Sequence, residues 1–226
     1  MLRAVIFDFD GVITDSEMLH FDAFNRVLSR FNFLVSKQQY FKDYLGLRDI
    51  DVFEVVAEKL QPDRNKYVIT ELLEEKQQAF EHLVASDAGI IAGVREFLSM
   101  LSANEVPMAI YSGATLADIE MILAKAALAD SFEVIVSAEQ VRKGKPDPEG
   151  FLLALDRLNE KSTQPIAAGE CIVIEDSHWG LEAAIAAEMH TVAVTNSYTA
   201  DQLNMADTII TRLDELTMED LHRLCG

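Results

Sequence analysis

Ala4-Val5-Ile6-Phe7-Asp8-Phe9-Asp10-Gly11-Val12-Ile13-Thr14-Asp15-Ser16-Glu17 is the stretch on which the fold turns. Four apolar residues run without interruption into Asp8, and a second carboxylate follows at Asp10. A short continuous run of branched and aromatic side chains suits a strand buried on both faces. Charge at the end of such a strand is costly to bury and is not placed there for packing. In a parallel sheet, ligands sit at the carboxyl ends of the strands, so Asp8 and Asp10 would stand at the mouth of a crevice. The plainer alternative is a capped turn, with both carboxylates solvated and Gly11 supplying an unusual backbone angle.

Outward from this strand the chain changes character twice. Thr14-x-x-Glu17 has the form of a capping box, and Leu19, Phe21, Phe24, Val27, Leu28 and Phe31 follow at helical spacings. Helical patterning continues to about residue 86, clearest over 49–60 and 67–83, with no convincing strand. The segment is too long for an ordinary loop and reads as an all-helical insertion. From about residue 87 strands and helices alternate: strands over 106–111, 132–136, 170–174, 191–194 and 208–210, with helices over 94–103, 115–127, 148–158 and 177–188 and a short one near the end. Asp147 is the expected N-cap and Pro148 the first residue of its helix. Such alternation means a parallel α/β sheet with right-handed crossovers. The expected architecture is a Rossmann-like core of residues 1–14 and 87–226, with residues 15–86 inserted as a helical cap.

Composition sets limits on function. The 226 residues are 50% hydrophobic, enough for a sizeable core, and the net charge is -19. That charge disfavours nucleic acid and anionic membranes as partners. No apolar run approaches the roughly 20 residues needed to span a bilayer, and charge arrives at Asp8 too early for a secretory signal's apolar segment, so a cytoplasmic protein is expected. Cys171 and Cys225 have no metal-ligand spacing and suggest no disulfide framework. A monomer or weak dimer is expected. A phosphorylated substrate would need local positive charge or a metal to offset the acidic surface.

The residues that follow successive strands supply both. Asp8 and Asp10 follow the first, Ser112-Gly113 the second, Lys145 lies in the loop after the third, and Glu175-Asp176 end the fourth. All fall on one edge of the sheet. Crowded carboxylates require a cation, and hard oxygen ligands suit Mg²⁺. A hydroxyl and a backbone N–H at a helix start suit a phosphate, and a lysine suits its remaining charge. Together these are the parts of metal-assisted phosphoryl transfer. Taken singly, Ser112 could be an N-cap, Lys145 a solvated lysine and Glu175-Asp176 a polar turn.

In the order Asp8-x-Asp10-Gly11, Ser112, Lys145-Pro146-Asp147-Pro148 and Glu175-Asp176, the chain resembles the haloacid dehalogenase superfamily, in the branch holding phosphatases and β-phosphoglucomutase-like enzymes. The resemblance implies that Asp8 is a nucleophile forming an aspartyl phosphate and that Asp10 acts as acid and then base. It implies a Mg²⁺ held by Asp8, the Asp10 carbonyl and Asp176, with Glu175 at or behind the metal shell. Ser112 and Gly113 would bind the phosphate, and Lys145 would neutralise charge and keep Asp8 ionised. His20 and Lys76 match cap-side residues that would contact substrate, and Arg48 lies one residue from the place of the cap arginine. From the residues alone, His20 could instead face solvent or a carbonyl, and Lys76 could belong to a solvated helix face. Trp179 is expected to pack under the sheet edge.

Within the superfamily, the mutase pattern carries a serine and a lysine just after the Ser112 position, where this chain has Ala114 and Thr115. That favours a phosphatase acting on a small phosphorylated metabolite, such as a sugar phosphate, over a hexose-phosphate mutase. A binding protein that keeps the fold without turnover is disfavoured by the complete set of carboxylates.

Overall fold

The structure is a computed structural model that describes residues 1–44, 49–60 and 67–226. The chain divides into two compact units, Met1–Asp15 with Gly89–Gly226, and Ser16–Ala88.

Among its described residues the second unit has helices and their connections but no strand. Helix α1 spans Ser16–Leu28, α2 Lys37–Asp43, α3 Asp49–Leu60 and α4 Tyr67–Ser86. On α1 the buried residues Ala23, Phe24, Val27 and Leu28 recur at three and four, the spacing of one helix face. Phe24 meets Phe53 of α3 at 5.0 Å between ring centroids, and Phe53 and Phe80 are fully buried. Burying one such side chain is worth about 1.5–3 kcal/mol, which lets a unit of this size hold its own core. The connection after α1 is pinned by Asn25, whose side chain both donates to Val35 O (3.0 Å) and accepts from Val35 N (2.8 Å).

The first unit is built on a six-stranded parallel sheet. Its strands are β1 Ala4–Phe7, β2 Met108–Tyr111, β3 Val134–Val136, β4 Cys171–Glu175, β5 His190–Val194 and β6 Thr208–Ile210, in the order β3-β2-β1-β4-β5-β6. The opening strand is therefore central, and all four of its residues are buried. Helices α5 Val94–Ala103, α6 Leu116–Ala126, α7 Glu149–Lys161, α8 His178–Ala186 and α9 Met218–Leu224 complete the unit. Phe7 is in register with Ile110 of β2 and Ile174 of β4. The carboxyl ends of the three strands thus lie level, and the residues just past them emerge side by side.

Two local expectations are corrected. Thr14 is not an N-cap: α1 begins at Ser16, because Thr14 is bridged to Ile90 and its hydroxyl donates to Gly89 O. Glu17 meanwhile accepts from the Tyr40 hydroxyl at 3.0 Å. Nor is Asp147 the N-cap of α7. The helix starts one residue later, capped at Pro148, although the Asp147 carboxylate still accepts from Glu149 N at 3.1 Å. Pro148 lacks an N–H, so the first free donor of that turn is Glu149.

Candidate active site

Asp8 is the first residue past β1, and its backbone N–H continues the ladder to Ile174 O (2.9 Å). Ser112 holds the same place past β2, with its N–H on Val136 O (3.0 Å). Main-chain pairing therefore fixes both side chains at the sheet edge. Ser112 is fully buried. Its hydroxyl donates to Asp10 Oδ2 at 3.1 Å and accepts from Ala114 N at 2.9 Å. Gly113 beside it has open space where a Cβ would stand, so its backbone is approachable.

Lys145 reaches the centre from the loop before α7. Its ammonium donates to Asp8 Oδ1 and, at 2.6 Å, to Glu175 Oε1. It also lies 5.1 Å from the Tyr111 ring centroid and 5.4 Å from that of Phe151. Glu175 is saturated: its other oxygen accepts from Asp176 N (2.8 Å), Ser177 N (2.7 Å) and Ser177 Oγ (2.9 Å). Glycines make room for this packing. Gly11, at φ +81°, would place a Cβ 1.9 Å from Asp176 Oδ2, and a Cβ on Gly180 would lie 1.6 Å from Glu175 Oε1.

The charges do not balance. Burial works against the Lys145 ammonium, but Asp8 and Glu175 raise it well above the ordinary lysine value. Burial also raises the Asp8 carboxyl well above its usual range; Lys145 opposes this, while Glu175, Asp10 and Asp176 reinforce it. Lys145 pulls the Asp8 carboxyl down, as its expected role requires, but desolvation and three neighbouring carboxylates act against it. Asp176 is pushed up to about 7, by burial first and Glu175 second. Its Oδ2 is the one buried side-chain polar atom without a hydrogen-bond partner among the described residues. One oxygen each from Asp8, Glu175 and Asp176 lie within 4.8 Å of one another. An all-carboxyl set with an orphaned oxygen and more acidic groups than cations fits a hard divalent cation. The Asp10 carboxylate is turned instead to Ser112.

The other expected residues belong to the helical unit. Lys76 is not on a solvated face: 1% of its side chain is exposed. Its ammonium meets His20 Nδ1 at 2.6 Å and Asp49 Oδ2 at 2.7 Å, and it lies about 5 Å from the rings of Phe24 and Phe80. His20 stacks on Phe80 at 4.2 Å and 11°. Burial, and then the Lys76 charge, lower it to about 3, so its imidazole is neutral. Arg48 lies outside the described residues.

Trp179 is a further correction. It is 50% exposed rather than packed under the sheet, because the first turn of α8 leaves the sheet edge at Ser177, its N-cap. Several neighbours of the centre were not anticipated. Asn196 Nδ2 donates to Gly11 O at 2.6 Å, Ser197 hydrogen-bonds Asp176, and Tyr198 packs its ring on His178. Burial raises the Tyr198 phenol, with Asp176 and Glu175 adding to the shift. All three follow β5, and applying the carboxyl-edge rule to that strand as well would have found them.

Residues 5–194 match the family described as haloacid dehalogenase-like hydrolase. The phosphorylated carbohydrates phosphatase of Thermotoga maritima is 30% identical over 192 residues, 84% of each chain. The β-phosphoglucomutase of Bacillus subtilis is 26% identical, over 98% of this chain and 94% of that one. In fold, the chain is similar to the crystal structure of β-phosphoglucomutase from Clostridium difficile, with a TM-score of 0.77 at 23% identity over 100% of this chain and 97% of that one.

Proposed function

The chain belongs to the haloacid dehalogenase-like hydrolases and is a phosphoric monoester hydrolase; from that premise we propose that it is a Mg²⁺-dependent phosphatase for a small phosphorylated metabolite, of the sugar-phosphate kind, working through an aspartyl phosphate on Asp8. One observation carries the reading. Asp8 stands at the end of the central strand, hydrogen-bonded to Lys145 and grouped with an orphaned carboxylate oxygen of Asp176. That grouping supports a nucleophile, a fixed cation and a place for a metal ion at one point.

In this proposal Asp8 and Asp176 would hold the metal, together with the Asp10 carbonyl, and Glu175 would stand behind them because its oxygens are already hydrogen-bonded. When bound, the ion would supply positive charge against the phosphoryl oxygens and keep Asp8 ionised for attack. Asp8 would displace the alcohol from phosphorus. Asp10, oriented by Ser112, would protonate the departing oxygen and then take a proton from the water that hydrolyses the acyl phosphate. Lys145 would carry part of the phosphoryl charge, while the Ser112 hydroxyl and Gly113 N–H would bind its remaining oxygens.

We read residues 15–86 as a cap, and His20, Arg48 and Lys76 as its contacts to the substrate's leaving group. For Lys76 that role requires a substrate oxygen to take the place of Asp49. The mutase reading has the Bacillus subtilis relative in its favour. Against it stands Thr115, whose side chain is spent capping α6, accepting from Asp118 N and donating to the Asp118 carboxylate.

The test is phosphate release from a broad panel of phosphomonoesters, with Mg²⁺ and with chelator. Metal-dependent release from wild type, abolished in Asp8→Asn with the fold retained, is the expected result. Release that survives Asp8→Asn removes the nucleophile assignment. Transfer that requires a hexose bisphosphate, with little release to water, gives the site to a mutase.

A further inference from the structure

Trp179 is the chain's sole tryptophan, and half of it is exposed in the first turn of α8, three residues past Asp176. Among the described residues it is the one aromatic side chain among the exposed large hydrophobics. Its exposure is not looseness. The His178 ring lies against it at 3.9 Å between centroids and 35° between planes. Tyr198, from the loop after β5, meets His178 edge-on at 5.1 Å and 84°.

This aromatic group is tied to the carboxylate centre on both sides. Ser177, which precedes His178, hydrogen-bonds Glu175 through both its N–H and its hydroxyl, and the hydroxyl also accepts from Gly180 N. Two residues before Tyr198, Asn196 holds Gly11 O in the loop that carries Asp10. Each aromatic loop is thus hydrogen-bonded to a group at the centre. A large ring held in place and left half open has already lost the conformational freedom that stacking would cost it.

We propose that Trp179, braced by His178 and Tyr198, stacks on a ring carried by the leaving group of the phosphomonoester. The enzyme then prefers esters of cyclic sugars or planar heterocycles to open-chain ones. This inference rests on the phosphatase reading above and names the substrate feature that reading leaves open. An aromatic face stacks on the C–H face of a sugar ring or on a heterocycle, and such a contact is worth about a factor of ten in binding.

The experiment compares kcat/KM for glucose 6-phosphate, a nucleoside 5′-monophosphate, sorbitol 6-phosphate and glycerol 3-phosphate in wild type, Trp179→Ala and Trp179→Phe. The alanine variant is expected to lower the ring-to-open-chain ratio by about tenfold, mainly through KM, with phenylalanine keeping most of it. The ester that shows the loss tells a sugar ring from a heterocycle. An unchanged ratio in Trp179→Ala overturns the proposal. Because Trp179 is the only tryptophan, its emission gives a readout independent of turnover. In Asp8→Asn, saturable change with a ring-bearing ester, but not with inorganic phosphate or glycerol 3-phosphate, supports stacking. No change with either ring-bearing ester overturns it. If wild type hydrolyses none of the panel, the phosphatase reading fails, while the emission titration still decides the platform.

Discussion

Lys145 in the α/β unit and Lys76 in the helical unit each bury an ammonium, with 14% and 1% of the side chain exposed, but their surroundings differ. Lys145 faces two carboxylates, Asp8 and Glu175, that are themselves buried, in a group that also holds Asp176. Lys76 faces one carboxylate, Asp49, whose side chain is 38% exposed, together with a neutral imidazole and two aromatic rings. The first cluster holds three carboxyl groups to one ammonium and an oxygen that has no partner. The second is balanced. A buried lysine alone therefore says little about function; the charge left over around it says more, because an unbalanced cluster is completed only by something from outside.

The largest expected effect breaks the two lysines apart. Lys145→Met should lower turnover by about 10²–10³-fold, as loss of a charge-stabilising donor does. It should also cost about 3–5 kcal/mol of stability without metal, because Asp8 and Glu175 stay buried without their cation. Lys76→Met should cost about 1 kcal/mol or less: methionine suits the contact with Phe24 and Phe80, and Asp49 is exposed enough to be hydrated. Urea melts of the three proteins, with and without Mg²⁺, measure this. Equal losses in the two variants would erase the distinction.

Metal binding should carry the signature of the unbalanced cluster. Asp176 sits near 7 and Asp8 well above its usual range, so the cation must displace protons at neutral pH and below. Mg²⁺ affinity, followed by calorimetry, should rise with pH by at least about tenfold per unit below about pH 7, where Asp176 must give up its proton. The metal-free protein should show the converse. The raised Asp176 value contributes stability that is present below about pH 4, where the unfolded carboxyl is also protonated, and is lost as pH rises through about 7.

This contrast also sorts what the sequence could reveal. Asp8, Ser112, Lys145 and Glu175-Asp176 were legible because each follows a strand, and a parallel sheet brings strand ends to one edge regardless of side-chain detail. The α/β alternation and the helical insertion were legible because hydrophobic period survives without tertiary knowledge. The start of α1 was not, since Thr14 is drawn into a bridge with Ile90, a pairing 76 residues distant in sequence. The Lys76–Asp49 pair was not, because each residue taken alone looks like helix surface, and only packing of α1 and α3 against α4 buries the ammonium. Trp179 was misplaced because a bulky aromatic is ordinarily buried, and its exposure depends on where Ser177 starts α8.

The smallest expected effect tests the balanced cluster from the acid side. His20 is held neutral, lowered to about 3 by burial and the Lys76 charge, whereas an unfolded histidine titrates near 6.5. Its contribution to stability is complete above about pH 6.5 and is lost as pH falls towards 3, the opposite direction to Asp176. Between pH 7 and 5 the loss is about 2 kcal/mol by linkage. The charged groups facing the ring are Lys76 and, through it, Asp49. His20→Asn keeps a polar side chain beside Lys76 but cannot take up the proton. It should be less stable than wild type at pH 7, having lost the stack on Phe80, yet change less between pH 7 and 5. Amide exchange, corrected for the intrinsic effect of pH, can follow α1 and α4 separately from β1 and β4. In wild type, acid should loosen the two helices, while the strands are held or tightened as their carboxylates take up protons. If the strands loosen first, the core is the acid-sensitive region and the charge balance assigned to the two lysine clusters is reversed.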